Sequence, residues 1–175
     1  MMQPVFFKCG VNGAGTTLVI KPVEPKRRNP FAPEFFLCEW DRKGFDKASA
    51  TLGELLLRLL KVHYPVAFKA VSLTPPQARL ADAHAAKVVS LEPFDWNGAM
   101  RQECLAVGIN YCCDALRIGP FSGDQRDGMG ESVSLEWLDG VGHHQAWQVV
   151  GALVLGLLAT MHPDAFAPYP GLVPK

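Results

Sequence analysis

HHQAWQVVGALVLGLLATM, His143–Met161, is the stretch that decides how this chain folds. From Val149 to Ala159 no residue carries a polar side chain, and in the wider run only Gln148 and Thr160 interrupt it. An element apolar on every side is either buried all round or lies in a membrane. A span needs ~20 predominantly apolar residues, and an uninterrupted run about half that long suits a buried core helix. The basic anchors of a membrane helix are missing too: the nearest cation upstream is Arg126, and downstream there is only Lys175. Asp139-Gly140-Val141-Gly142 reads as a turn before the helix, and Pro163 stops it after His162. Ala152 and Gly156, four residues apart, let another backbone come close, so the helix is expected to lie tight on a sheet.

The rest of the chain fits one domain, 1–175, with room for a core that needs no staple. Apolar residues make up 49% and charged residues 19%, the balance of a globular protein. Charge is neutral overall but uneven along the chain. Residues 1–47 carry eight Lys/Arg against five Asp/Glu, whereas from Asp127 onward there are five acids and one Lys. That asymmetry can steer a partner, but it is no nucleic-acid footprint, which would be clearly basic. The five cysteines, Cys9, Cys38, Cys104, Cys112 and Cys113, are odd in number and include a vicinal pair, a poor basis for a disulfide framework. The start of the chain has no basic, apolar leader pattern, so reduced thiols in the cytoplasm are the expectation.

Taken in order, Val5–Cys9 and Thr16–Ile20 are β-rich and flank Asn12-Gly13, which predicts a hairpin. Gly10 and Gly15 have phosphate-loop spacing, but Thr16 stands where that loop needs Lys. The proline-rich stretch 21–33 reads as an exposed connection, and 35–40 as a third strand ended by Asp41-Arg42-Lys43-Gly44. A helix is expected over 51–63, capped by Thr51 with Glu54 and buried through Leu52, Leu55, Leu56, Leu59 and Leu60, with Pro65 ending it. Further expectations are a strand over 66–73, a helix over 74–87, and a helix from Asp95 to Val107 ended by Gly108. The stretch 109–118 alternates like a strand yet could prolong that helix; a strand is preferred because 132–138 looks like its partner. No internal repeat stands out. The order predicts an α+β fold: an antiparallel sheet built from N-terminal and C-terminal hairpins, packed against three to four helices, with the C-terminal helix buried.

Chemistry is harder to find. Asp124, Asp127 and Glu131 lie in the Gly-rich stretch 121–131, where a calcium loop fails because Gly123, Gln125 and Ser134 occupy ligand positions. Polar loops on a rigid sheet are nevertheless where binding residues collect. Asp124, Gln125, Arg126, Asp127 and Glu131 are therefore the candidate partner-binding residues. A thiol nucleophile would need Cys112 or Cys113 to meet His143, His144 or His162, which no spacing supports. His84 and the His143-His144 pair lack the spacing of metal ligands. No cofactor, metal or catalytic constellation is expected.

The segment 95–165 resembles the C-terminal half of some small α+β immunity proteins, which guard bacteria against toxins delivered between cells, including by type VI secretion. The likeness lies in a helix, a hairpin with a long Gly/Asp-rich connection, and an apolar helix ending Met161-His162-Pro163-Asp164-Ala165. It implies a cytoplasmic, non-enzymatic protein that occludes the active site of a toxin. A phage or mobile-element inhibitor of a bacterial defence complex would use the same physics, and a small cysteine-dependent hydrolase or transferase is the enzymatic alternative.

Overall fold

The computed structural model describes residues 6–22, 31–33, 35–69, 71, 86–88, 101–110, 112–121 and 131–172. Strands β1 (Phe6–Val11) and β2 (Thr17–Pro22) form the expected N-terminal hairpin. β4 (Phe35–Phe36) adds to β2, while β3 (Phe31–Pro33) pairs with β5 (Ala86–Val88) in a separate ribbon. β6 (Leu105–Ile109) and β7 (Ala115–Pro120) make a second hairpin, and β8 (Glu131–Ser134) pairs with β7. The six-stranded antiparallel sheet runs β4-β2-β1-β6-β7-β8, the two hairpins meeting along β1 and β6. Helices α1 (Leu37–Lys43), α2 (Phe45–His63), α3 (Leu135–Val141), α4 (His143–Met161) and the short α5 (Pro163–Phe166) complete the α+β fold. One sheet face, through Phe7, Cys9, Leu18, Val107 and Leu116, shares a single apolar core with α2 and α4.

The architecture holds a repeat that the sequence does not advertise. Each element of the second run lies 98 residues after its counterpart: hairpin, edge strand, seven-residue helix, nineteen-residue helix. The details match as well. Gly44 and Gly142, at φ 92° and 95°, each join the short helix to the long one. Tyr64 and His162 end the long helices with near-identical backbone angles, and each is followed by Pro. In sequence, residues 6–68 and 104–166 align without a gap and share eighteen identical residues, too many for coincidence of topology alone. The chain is a tandem duplication related by an approximate twofold axis through the β1–β6 pair.

That axis also runs between α2 and α4. A Cβ added at Gly53 would overlap the Trp147 carbonyl, and one at Gly151 would overlap the Ser49 carbonyl, so the two helices touch backbone to backbone at equivalent points. The close approach is therefore helix on helix at Gly151, not helix on sheet through Ala152 and Gly156. Nor is α4 buried all round. Ala146, Val150, Gly151, Val154, Leu155 and Leu158 form its buried face, whereas Val149, Ala152, Leu153, Gly156 and Leu157 are half-buried. By length and composition α4 could cross a membrane, and about a third of it is buried inside the fold. On α2 the positions equivalent to Ala152, Gly156 and Ala159 hold Glu54, Arg58 and Lys61, with a largely buried Arg58–Glu54 ion pair of 2.8 Å.

Several boundaries move. Only Phe35–Phe36 of the third expected strand is extended, because Leu37 and Trp40 turn into the core at helical spacing. α2 begins at Phe45, so Thr51 is inside the helix, its hydroxyl donating back to the Lys47 carbonyl at 2.9 Å instead of capping. Pro65–Phe68 is a 3-10 turn with Val66 60% exposed, not strand. Lys87 lies in β5, and 72–85 are outside the described residues. Residues 105–107, expected to close a helix ended by Gly108, belong with Gly108 and Ile109 to the central strand β6; it is buried on both faces, which erases the alternation that would have marked it. Within 132–138 only Ser132–Ser134 is strand. Ser134 then caps α3, its Oγ accepting the Trp137 N–H at 3.2 Å. The residues 139–141 read as a turn belong to that helix, with the turn confined to Gly142.

Candidate protein-docking groove

Both hairpins close on the same five-residue loop. Asn12 Oδ1 accepts the N–H groups of Thr16 and Thr17 at 2.9 and 3.1 Å, and Asn110 Oδ1 accepts those of Asp114 and Ala115, both at 3.0 Å. The fourth residue of each loop takes positive φ: Gly15 at 74° and Cys113 at 58°. The Asn-Gly step is thus not where the positive φ falls.

At the second loop this geometry opens a groove of about 820 Å³ between the end of the first repeat and the edge of the sheet. Ala67, Val71, Ala115 and Leu135 supply apolar wall. Cys113, Ser132 and Ser134 supply small polar groups, and Asp114, Glu136 and Asp139 supply acids. No lysine, arginine or histidine is among these lining residues. Asp114 is fixed by a 2.6 Å bond from Asn110 Nδ2, while Glu136, in the first turn of α3, stands exposed.

The equivalent end of the first repeat carries different chemistry. There Arg101 donates to both oxygens of Asp164, at 3.0 and 2.9 Å, and reaches the Gly13 carbonyl at 3.4 Å. These bonds hold the Asp164 carboxyl below the usual aspartate range. His162, buried, lies with Nε2 2.8 Å from the Glu103 carbonyl. A carbonyl only accepts, so Nε2 carries the hydrogen and Nδ1 faces Arg101 Nη1 at 3.4 Å as acceptor. Asp41, counterpart of Asp139, accepts the Gly171 N–H, so the chain's own 170–172 turn packs here, with Leu172 fully buried. Where the second end is acidic and concave, the first is tied up by an Arg–Asp pair and the chain's own tail.

Of the candidate binding residues, Asp124, Gln125, Arg126 and Asp127 lie outside the described residues. Glu131 opens β8, exposed, across from Ile118 and next to the groove-lining Ser132. Among the described residues, the candidate cysteines and histidines sit on different elements. Cys113 follows β6, His162 packs on the segment preceding it, and His143 and His144 pack against the Trp147 ring at centroid distances of 6.1 and 6.3 Å. His84 falls outside the described residues. Among the described residues no three His, Cys, Asp or Glu side chains gather as a metal site. Asp114 is far in sequence from Glu136 and Asp139, which share one short helix; only the fold brings the loop acid to the helix pair. Comparison with family models, with curated proteins and with solved structures gives no match to this chain.

Proposed function

We propose that this chain is a non-catalytic, cytoplasmic protein-binding inhibitor, an immunity protein that occludes a bacterial toxin, and that the groove of the second repeat is its docking surface. The observation that carries this reading is the divergence of two ends built on one plan. Asp114, Ser134 and Glu136 stand where the first repeat has Thr16, Phe36 and Cys38. The unit folds with either set, so the fold does not demand acids there. A concave surface whose charged groups, among the described lining residues, are all acids suits a basic protein surface, such as the active-site cleft of an enzyme that acts on an anionic substrate.

The test is association with the product of the neighbouring gene. Glu131→Lys with Glu136→Lys, both exposed positions, should slow association by about tenfold at low salt and by much less at high salt. The neighbour's product should also arrest growth unless this chain is present. Unaltered association kinetics would remove the groove from the interface, and a neighbour with no effect on growth and no complex would remove the inhibitor reading.

A second reading, thiol chemistry, has one observation behind it: Cys113 lines the groove in a backbone conformation rare for a residue with a side chain. The loop geometry accounts for that conformation, since Gly15 has it too. Alkylation separates the two readings. A nucleophilic Cys113 should react far faster than free cysteine at neutral pH. As an ordinary turn residue it should label no faster than the exposed Cys38 and Cys112, with the buried Cys9 and Cys104 resisting. Burial pushes both of those thiols up, with Lys8 partly opposing the shift at Cys104.

A further inference from the structure

The register of β8 says which way its backbone points. Leu135 N–H donates to the Asp114 carbonyl at 3.0 Å, and β7 and β8 pair Leu116 with Val133 and Ile118 with Glu131. Bonded pairs in an antiparallel ladder alternate every second residue. Glu131, Val133 and Leu135 therefore turn their backbone groups toward β7, while Ser132 and Ser134 turn theirs away. Among the described residues no strand lies on that side of β8. Ser132 and Ser134 are exposed, and both line the acidic groove.

The first repeat shows what such an edge can take. The run 31–36, counterpart of 129–134, receives an antiparallel strand of the chain itself: β5 pairs Ala86 with Pro33, the position equivalent to Glu131. That added strand reads Ala86-Lys87-Val88, a cation between two apolar residues. Side chains of an added strand alternate between faces. Along β8 one face would meet Ser132 and Ser134, with Ala115 and the half-buried Arg117 behind them, and the other would meet Glu131 and the half-buried Val133, with Asp114 behind Leu135.

We propose that the outer edge of β8 receives an antiparallel strand from the partner protein, an extended segment alternating Lys or Arg with apolar residues. Its cations lie on the face of Glu131 and Val133, toward Asp114 and the neighbouring Glu136 of the same groove, and its apolar side chains sit beside Ser132 and Ser134, the face that already holds Arg117. The proposal rests on the protein-binding reading above and gives it a mode, strand addition, in which main-chain bonds supply affinity and side-chain pockets supply choice.

The test uses the full chain and a ten-residue end-blocked peptide alternating Arg and Val, with a Glu/Val peptide as control. The Arg/Val peptide should bind, the Glu/Val peptide should not, and the Ser132 and Ser134 amides should become protected from hydrogen exchange. Ser132→Pro removes an outward N–H that the β7 ladder does not use, a place where a strand tolerates proline, and should weaken binding about tenfold. Glu136→Lys should weaken it and flatten its salt dependence. Equal binding of both peptides, or none, overturns the proposal, as does unaltered binding by Ser132→Pro. If that variant misfolds, amide protection in the native chain decides: unprotected Ser132 and Ser134 amides overturn strand addition. Should the neighbouring gene's product bind Ser132→Pro at full strength yet lose affinity to Glu131→Lys with Glu136→Lys, strand addition falls and the inhibitor reading stands. Should that product not bind at all, the inhibitor reading falls whatever the peptide does.

Discussion

At the scale of single residues, duplication turns the chain into its own control. Gly15 and Cys113 occupy the same place in the same Asn-anchored loop with the same sign of φ, yet only one is glycine. A left-handed conformation costs an ordinary residue roughly 1–2 kcal/mol, and glycine gives back part of that through its greater freedom when unfolded. Cys113→Gly is expected to leave stability unchanged or raise it by up to about 1 kcal/mol. Gly15→Ala should lower it by at least about 1 kcal/mol, because the new Cβ also meets Arg101 Nη2 at 3.0 Å and Ala165 Cβ at 3.3 Å. Denaturant midpoints check both, and a large loss from Cys113→Gly would show that the thiol is held for its own sake. The Arg101–Asp164 pair gives a prediction in pH. A carboxyl depressed by its bonds from Arg101 contributes stability that is complete above the ordinary aspartate range and is lost as pH falls through its folded value. Asp164→Asn should therefore lower the unfolding midpoint at neutral pH, and the difference from the parent should close as pH falls through the lowered folded value of this carboxyl. Because this carboxylate is exposed the effect is small, and a gap that persists in acid would mean the variant had damaged packing instead.

At the scale of elements, the crossing of α2 and α4 makes the sharpest demand. Either glycine at the crossing, changed to alanine, drives a methyl into a carbonyl of the facing helix. The gain in helix propensity, about 1 kcal/mol, works against an overpacking cost of about 1–3 kcal/mol that two packed helices can relieve only by separating. Gly53→Ala and Gly151→Ala should each destabilise, by similar amounts, since each meets the same kind of obstacle. Gly140→Ala, inside α3 with nothing within 4 Å of its new Cβ, should stabilise. Thermal melts of the three variants test the crossing, and a neutral Gly151→Ala would deny the backbone contact. The two long helices also show what the sequence reveals. Leu52, Leu55, Leu56, Leu59 and Leu60 are all buried as their spacing predicts, and α4 keeps its expected bounds because Pro163 and an unbroken apolar run mark it. The start of α2 was hidden because its cap, Gly44, works through a positive φ instead of a side chain, while Thr51 and Glu54 mimic a capping box from inside the helix. β6 was hidden because a strand buried on both faces looks like any short apolar run. The repeat is hard to see in sequence because matching residues are mostly core leucines and turn glycines, whereas Glu54-Arg58-Lys61 and their counterparts Ala152-Gly156-Ala159 have nothing in common. The groove is hidden for a related reason: Asp114, Glu136 and Asp139 come from a loop and a helix that converge only across the sheet edge.

At the scale of the whole molecule, two copies of one small unit share a sheet and a core, and neither has a complete apolar interior of its own. β1 and β6 stitch the sheet across the approximate twofold axis, and α2 and α4 close it from one side. A unit of some sixty residues buries too little of its surface to be comfortably stable alone, whereas a chain near 150 residues buries ~70%. Independent unfolding of the halves would expose the paired faces of α2 and α4 at once, so the halves should unfold together. Trp40, buried in the first repeat, and Trp147, at the crossing in the second, are probes placed to see this. In variants retaining one or the other as sole tryptophan, fluorescence should report a single, coincident unfolding transition. Leu57→Ala, which empties a fully buried site in the first repeat, should cost about 2–5 kcal/mol and shift both probes by the same amount. If Trp147 instead kept its original midpoint while Trp40 moved, the halves would be separate cooperative units, and opening the first alone would take Ala67 and Val71 out of the wall of the acidic groove.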